Sequence, residues 1–181
     1  MEKTIREGRA WVLLDEDNRL IENIDTDQIY HNAFLHITDT QKMGQYAFGN
    51  LKGWEDFPKK SHPGDIILAG RNFGAGSSRQ QAVHCFIALG IGLIMAPSFG
   101  AIYFRNAVNS GFPVIKCPGL EELVKKKTIV SGDMIRVDLR TGEGRNLFKN
   151  IAFAFEPMSG VQYEIFQSGT LFQYGKKLNH G

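Results

Sequence analysis

Residues 65–96 read DIILAGRNFGAGSSRQQAVHCFIALGIGLIMA, and the order of patterns in this stretch decides the fold. The apolar run Asp65–Gly70 predicts a short buried strand, and Gly92–Ala96 predicts a second one. Between them, a glycine-rich turn leads into Ser78–Leu89, which predicts a helix closed by the glycine that follows it. A strand, a helix and a strand in this order favour a right-handed crossover and parallel pairing of the two strands.

The sequence on both sides extends this alternation of strands and helices. Further predicted elements are, in chain order, a helix at Thr40–Phe48, a helix at Phe99–Asn109 capped by Ser98, a strand at Phe112–Cys117, a helix at Leu120–Lys127, strands at Met134–Leu139 and Ile151–Glu156, and a helix near Val161–Ser168. Residues 49–63, with their glycine and prolines, predict a long exposed loop. Because strands flank the parallel centre at both ends, we expect a mixed α/β sandwich or barrel-like domain.

The composition is that of an ordinary globular protein and argues against several functional classes. The 181 residues predict a single domain spanning 1–181, and 43% hydrophobic with 22% charged residues argues against disorder. Lysine and arginine total 21 against 19 acidic residues, and a net charge of +2 does not favour nucleic acid or an anionic membrane as a partner. No apolar run has the length of a membrane span or of a signal-peptide core, so we expect a soluble, cytoplasmic protein.

The two cysteines, Cys85 and Cys117, limit the redox chemistry that the chain can carry by itself. Both lie in apolar runs, which predicts that they are buried small hydrophobic residues and not a disulfide. An iron–sulfur cluster is usually held by several thiolates, and two are too few. We therefore expect no metal or cluster to be bound by this chain alone.

The strongest candidate for a functional site is GAGSSR at residues 74–79. Its glycines, including Gly76, allow a sharp turn that brings backbone N–H groups close to a ligand. Ser77 and Ser78, each three residues before a glutamine, fit a capping box at the start of the helix. Arg79 then falls in the first helical turn, where the dipole disfavours a cation unless an anion binds there too. The segment predicts a carboxylate or phosphate site, beside the simpler interpretation of a capped helix.

Familiar phosphate-binding and nucleophile motifs do not fit this segment. No lysine follows the glycines, as a P-loop requires, and a GxGxxG motif needs a glycine where Arg79 stands. The nucleophile elbow GxSxG fails around both Ser77 and Ser78. The residues themselves therefore leave the kind of anion open.

A second candidate is NIDTDQI at residues 23–29, in which Asp25 and Asp27 flank Thr26. Aspartates are depleted from strand interiors, so this motif predicts a loop or the end of a strand. An Asx-type turn is its common structural explanation. A metal site would need a third ligand, which the sequence does not identify.

Four segments in order resemble the small-subunit family of 3-isopropylmalate dehydratase, which corresponds to the mobile C-terminal domain of aconitase. They are NIDTDQI, FLHITD, GDIILAGRNFGAGSSRQQA and APSFGAIYFRNAVNSGFPVI, and the closing EIFQSGTLFQYGKK is also similar. The resemblance covers about the whole chain. It implies the mixed β/β/α swivelling fold of the aconitase C-terminal domain.

The resemblance also implies a subunit of a two-chain hydro-lyase that acts on a small hydroxy-diacid. A large partner subunit would hold a [4Fe–4S] cluster. The first serine of the family's GSSR element removes a proton beside a carboxylate, which implies this role for Ser77. The two residues after it bind substrate carboxylate, which implies this role for Ser78 and Arg79, and the resemblance also implies that Gly76 belongs to the substrate-binding residues.

Two further segments would line the active site according to the resemblance. The wall is formed by Asp25, Thr26 and Asp27, and the substrate-discriminating segment by Phe34, Leu35, His36 and Ile37. Some relatives carry arginine at the place of His36, where a cation could pair with a distal carboxylate. A histidine followed by bulky Ile37 favours a substrate with an apolar branch, although an ordinary loop histidine explains His36 equally well.

Two departures from the family pattern bear on activity. Gln80 stands where many relatives have an acidic residue after SSR, and Ala101 stands where SFARIFYRN would have an arginine. Arg105 and Asn106 remain. An arginine that contacted the partner or the substrate would be missing here.

Two classes of function remain open at this point. The first is the small subunit of a 3-isopropylmalate dehydratase of leucine biosynthesis, with homoaconitate or 2,3-dimethylmalate dehydratases as close alternatives. The second is a non-catalytic module that binds an anion at GAGSSR. Dependence on a partner separates them, because the subunit is inactive alone whereas the module binds its anion alone.

Overall fold

A computed structural model describes residues 4–179, and within them seven strands form one sheet. The strands, in chain order, are β1 (Ile5–Val12), β2 (Ile66–Leu68), β3 (Leu93–Ala96), β4 (Val114–Lys116), β5 (Met134–Asp138), β6 (Glu143–Asn146) and β7 (Ile151–Ala154). Their order across the sheet is β4-β3-β2-β1-β5-β6-β7. The first four pair in parallel, and β1 with the last three pair antiparallel. The predicted mixed α/β fold is confirmed, although the parallel strands form one side of the sheet and the antiparallel strands the other, with β1 between them.

Strand β1 joins the two halves of the sheet, and the sequence did not predict its full extent. Residues 10–12 pair in parallel with β2, while residues 5–9 pair antiparallel with β5. Charged side chains at 6, 7 and 9 interrupt any apolar run there. Gly8 is required by close packing, because a Cβ at that position would lie 2.0 Å from the carbonyl oxygen of Gly64.

The helices lie in the connections between strands and after β7. They are α1 (Thr26–Ile29), α2 (Thr40–Met43), α3 (Phe57–Lys60), α4 (Gln81–Ala88), α5 (Ala101–Asn109), α6 (Leu120–Lys125), α7 (Gly160–Ser168) and α8 (Leu171–Asn179), with 3₁₀ turns at Asn32–Phe34 and Gly44–Tyr46. The helix predicted at Thr40–Phe48 is therefore one short α-helix followed by a 3₁₀ turn. Within the part of the chain that the structure describes, no helix is long and apolar enough to cross a membrane.

Two hydrophobic clusters cover the two faces of the sheet. Alternate residues of β2 supply them: Ile67 belongs to the cluster that contains α4 and α5, and Ile66 and Leu68 belong to the cluster that reaches the antiparallel strands. All three side chains are fully buried. Such burial on both sides explains why the central strands read as unbroken apolar runs.

The segment 49–63 is exposed at most of its residues, as predicted, but a few buried side chains attach it to the core. Leu51 and Phe57 are 3% and 2% exposed and belong to the hydrophobic core. Trp54 and Phe57 both contact the ring of Trp11 edge-on, with centroid separations of 6.3 and 5.3 Å. The sequence did not predict helix α3 or this attachment to the core, because the glycines and prolines outweighed the aromatic residues between them, whose burial holds the segment to the fold.

Candidate active site

The loop that follows β2 brings the two sequence motifs together. Gly74 and Gly76 have φ of +77° and +90°, conformations that favour glycine. A Cβ on Gly74 would lie 2.2 Å from Cγ of Tyr103, so a larger residue would not fit there. The N–H of Gly74 donates to the carbonyl of Ile24 at 2.7 Å, and the N–H of Thr26 donates to that of Ala75 at 2.9 Å. These bonds fasten GAGSSR against NIDTDQI.

Helix α4 begins at Gln81, which places Ser77, Ser78 and Arg79 in the loop before it. The predicted capping box is wrong, because Gln80 is the N-cap residue and no side chain caps the helix. Backbone carbonyls of Arg79 and Gln80 accept the first N–H groups of the turn instead. The serine hydroxyls are therefore not used by the helix.

The cap predicted for α5 is also wrong. Gly100 is the N-cap residue of that helix, and no side chain caps it. The Oγ of Ser98 accepts from the N–H of Asn72 at 2.9 Å instead and supports the glycine loop.

A capping box does occur at Asp25, in the other motif. Its Oδ1 accepts from the N–H groups of Asp27 and Gln28, both at 2.8 Å, while Oε1 of Gln28 accepts from the N–H of Asp25 at 3.0 Å. The first aspartate of NIDTDQI thus starts α1, as the Asx-turn interpretation suggested. Its carboxylate is committed to the backbone.

The second aspartate, Asp27, pairs with Arg79 across 52 residues of sequence. Nη1 of Arg79 donates to Oδ1 of Asp27 at 2.5 Å and to the carbonyl of Tyr30 at 3.0 Å. The guanidinium holds the pKa of Asp27 below its ordinary value, against burial that would raise it. An anion does accompany Arg79, as expected, but it is a side chain of the same protein, and the helix-dipole argument for an external anion does not apply.

Both serines of the motif are exposed. The backbone carbonyl of Ser77 accepts from Oγ1 of Thr26 at 3.0 Å, which fixes the loop at that residue. Oγ of Ser78 accepts from Nδ2 of Asn106 on α5 at 3.2 Å. Sequence reasoning noted that Asn106 remained but assigned it no role. Its place in the quoted APSFGAIYFRN segment was the available signal.

The four residues of the substrate-discriminating segment divide into two pairs. Phe34 stacks on Tyr46 with ring centroids 4.2 Å apart, and both Phe34 and Ile37 are partly buried against the core. Leu35 and His36 are exposed. Nε2 of Gln81 lies 3.5 Å from the carbonyl oxygen of Leu35, so this segment borders the start of α4. The structure brings Leu35 and His36 to the surface beside the loop, whereas Phe34 and Ile37 contribute packing.

The two departures from the family pattern have different surroundings. Nε2 of Gln80 lies 2.6 Å from Oγ of Ser110 and 3.1 Å from Nε2 of His84, so its amide links α4 to the end of α5. Burial lowers the pKa of His84. Ala101 is the exposed first residue of α5. Gln80 thus has structural partners within the chain.

The cysteines are poor candidates for a metal or cluster. Cys85 and Cys117 are buried, as predicted. Burial raises the pKa of the Cys117 thiol to about 11, and that of Cys85 further still. Among residues 4–179, no group of three or more histidine, cysteine or acidic side chains is arranged to hold a metal ion.

Comparison with known proteins identifies the family. Residues 16–118 match the model of the aconitase C-terminal domain. The chain is 37% identical over 175 residues to the isopropylmalate/citramalate isomerase small subunit of Methanocaldococcus jannaschii, covering 97% of this chain and 96% of the relative. It is 40% identical over 169 residues to the 3-isopropylmalate dehydratase small subunit of Pyrobaculum calidifontis, covering 93% and 96%.

A solved structure agrees with these sequence matches. The crystal structure of 3-isopropylmalate dehydratase from Methanocaldococcus jannaschii superimposes with a TM-score of 0.82 at 35% identity, over 97% of this chain and 95% of that chain. The similarity extends over both halves of the sheet, well beyond the matched residues 16–118. The chain therefore belongs to the aconitase C-terminal domain family, among the small subunits of 3-isopropylmalate dehydratase.

Proposed function

We propose that this chain is the small subunit of a hydro-lyase that interconverts 2-isopropylmalate and 3-isopropylmalate by dehydration and rehydration in leucine biosynthesis. One observation carries the proposal: two exposed serines stand beside an arginine in a loop where neither hydroxyl caps the following helix. The full-length similarity to subunits of that name supports the choice of reaction.

Ser77 is the proposed base for the proton next to a substrate carboxylate. Its Oγ takes that proton, and the C–H electron pair moves toward the carboxylate before hydroxide leaves the neighbouring carbon. Serine is a weak base unless negative charge on its oxygen is stabilised. The Arg79 cation, two residues further along the chain, provides a favourable electrostatic environment for such charge.

Ser78 and Arg79 are the proposed carboxylate ligands. The two protein contacts of Arg79 both use Nη1, so Nη2 and Nε offer donors to a carboxylate in the planar arrangement that guanidinium favours. The Oγ of Ser78 accepts a hydrogen bond from Nδ2 of Asn106, so the hydroxyl proton of Ser78 points away from Asn106. That proton is available to a second carboxylate oxygen.

A large partner subunit completes the proposed active site. It would carry the [4Fe–4S] cluster that binds and polarises the substrate hydroxyl, since the buried, high-pKa cysteines of this chain do not suit that group. The exposure of Ser77, Ser78 and Leu35 agrees with a half-site that is covered on assembly.

We propose that the site selects isopropylmalate among hydroxy-diacids by its apolar branch. Leu35, 38% exposed, offers an apolar surface beside the loop, and His36 provides no permanent cation for a third carboxylate. Citramalate, named for the Methanocaldococcus relative, has a smaller branch. The alternative diacids, homoaconitate and 2,3-dimethylmalate, are tested with the same assay.

The test is reconstitution of turnover. The purified chain is mixed with the large subunit from the same genome, assembled anaerobically, and conversion of 3-isopropylmalate is followed together with the alternative diacids. We expect activity only when both chains are present. If the enzyme turns over only another diacid, that diacid replaces isopropylmalate as the proposed substrate. If neither a complex nor turnover is found, the anion-binding module is favoured.

A further inference from the structure

Asp27 is held by three different parts of the chain. Its Oδ1 accepts from the N–H of Asn32 at 3.0 Å and from Nη1 of Arg79, and its Oδ2 accepts from Nδ2 of Asn50 at 2.9 Å. The backbone near Asn50 is itself attached to α1, because the N–H of Phe48 donates to the carbonyl of Ile29 at 2.8 Å. The carboxylate of Asp27 is therefore held by two donors besides the arginine.

Arg79 gains its orientation from this carboxylate. Tyr30 provides a second acceptor for the same Nη1 atom, so two bonds define where one side of the guanidinium points. The side chain of Arg79 is only 16% exposed, and that of Asp27 is 32% exposed. A free arginine samples many rotamers, and fixing it before binding removes that entropy cost from substrate recognition.

We propose that Asp27 is a positioning residue, which holds the guanidinium of Arg79 so that Nη2 and Nε face a substrate carboxylate. The inference rests on the proposed function for the identity of that carboxylate. Asp27 acts through Arg79 and has no contact with substrate. The hydrogen bonds from Asn32 and Asn50 hold its carboxylate from chain segments other than that of the arginine.

The surface pair Asp17–Arg19 provides a matched control. Nη2 of Arg19 donates to Oδ2 of Asp17 at 2.5 Å, the same separation as in the Asp27–Arg79 pair. Both of those side chains are 72% exposed. The substitution Asp17→Asn therefore removes a similar bond far less shielded from solvent.

The kinetic test compares Asp27→Asn, Asp27→Glu and Asp17→Asn in the reconstituted two-chain enzyme. We expect Asp27→Asn to raise KM for 3-isopropylmalate about tenfold or more, with a smaller effect on kcat, because a displaced guanidinium weakens binding. Asp27→Glu should restore part of that loss, and Asp17→Asn should change nothing. In an Arg79→Lys background, Asp27→Asn should add less than about a twofold effect, since coupled residues are not additive.

A second measurement decides the inference even if the wild-type pair turns over none of the diacids. In the isolated chain labelled with ¹⁵N-arginine, the Arg79 guanidinium signals are assigned by their loss in Arg79→Lys. Slow rotation of that guanidinium in the wild type and in Asp17→Asn, with fast rotation in Asp27→Asn, is expected. Fast rotation in the wild type, or an unchanged KM in an active Asp27→Asn enzyme, would overturn the proposal.

Discussion

Two ion pairs lie beside different halves of the sheet, and they differ in the residues that surround them. Lys149 and Asp133 join the antiparallel half: Oδ2 of Asp133 accepts from Nζ of Lys149 at 2.7 Å, from Nδ2 of Asn146 at 2.7 Å and from the N–H of Val130 at 2.9 Å. The Asp133 side chain is 8% exposed. Burial alone would raise its pKa, but these bonds outweigh it and lower the pKa.

Asp27 and Arg79 form the second pair, at the loop that follows β2. Arg79 has contacts within the chain from Nη1 and stands next to the exposed hydroxyls of Ser77 and Ser78. In the first pair, the carboxylate of Asp133 is enclosed by side-chain and backbone donors and is only 8% exposed, which is typical of a structural role. The second borders exposed polar groups, which is typical of a binding site.

The largest effect is expected at Ser77. Ser77→Ala should lower kcat of the assembled enzyme by about 10³-fold or more, because it removes the proton acceptor while leaving the loop backbone in place. Ser78→Ala is the matched control: it removes a neighbouring exposed hydroxyl and should act mainly on KM. Steady-state turnover and a check of complex formation by gel filtration measure both. A Ser77→Ala enzyme with wild-type kcat would move the base to another residue.

The enclosed pair should matter for stability and not for chemistry. Asp133→Ala leaves Lys149 and Asn146 without their shared acceptor, and we expect the free energy of unfolding to fall by about 3 kcal/mol. Denaturant unfolding of the isolated chain measures this. Turnover per assembled complex should stay at the wild-type level, and a loss of kcat in folded, assembled Asp133→Ala would contradict the division between the two pairs.

Arg79→Lys tests whether the second pair takes part in substrate binding. Lysine keeps the charge but lacks the planar fork, so we expect kcat/KM to fall by about 10- to 100-fold, chiefly through KM. The free energy of unfolding should change less than in Asp133→Ala. If the substitution leaves kcat/KM unchanged, Arg79 binds no substrate carboxylate and serves only to pair with Asp27.

The smallest effect is expected at Asn106. Asn106→Ala removes the donor to Oγ of Ser78 and leaves that hydroxyl free to rotate, which should raise KM by about threefold, the equivalent of one modest hydrogen bond. Arg105→Ala, one residue earlier on α5 and exposed, serves as the control. Equal effects of the two substitutions would show that the helix as a whole, and not the bond to Ser78, is responsible.

The parallel core could be predicted from sequence because its signals are local. The strands around Ile66–Leu68 and Leu93–Ala96 are apolar runs bounded by glycine and proline, and the one helix between them is followed by Gly90. Strand β1 lacked that signal: charged residues occupy the part that pairs with the antiparallel neighbour β5, and Gly8 reflects a tight contact with a distant segment. The burial of the two cysteines could likewise be predicted, because their neighbours in the sequence are apolar.

The candidate site could be predicted only in part. Its residues were found through the GAGSSR and NIDTDQI motifs, but the capping box was placed at Ser77 or Ser78 when it lies at Asp25. The motif alone did not show where the loop ends, and helix α4 begins only at Gln81. The Asp27–Arg79 pair joins residues 52 positions apart, and no local pattern encodes such a contact.

The role of Ser77 as the base is tested most directly by following the abstracted proton. The two-chain enzyme is incubated with 3-isopropylmalate in D₂O, and the deuterium content of the carbon that loses the proton is followed over time by mass spectrometry. Dehydration followed by rehydration should place deuterium there with the wild-type chain and, more slowly, with Ser78→Ala. With Ser77→Ala we expect none over the same time. Deuterium uptake at the wild-type rate in Ser77→Ala would contradict the assignment of Ser77 as the base.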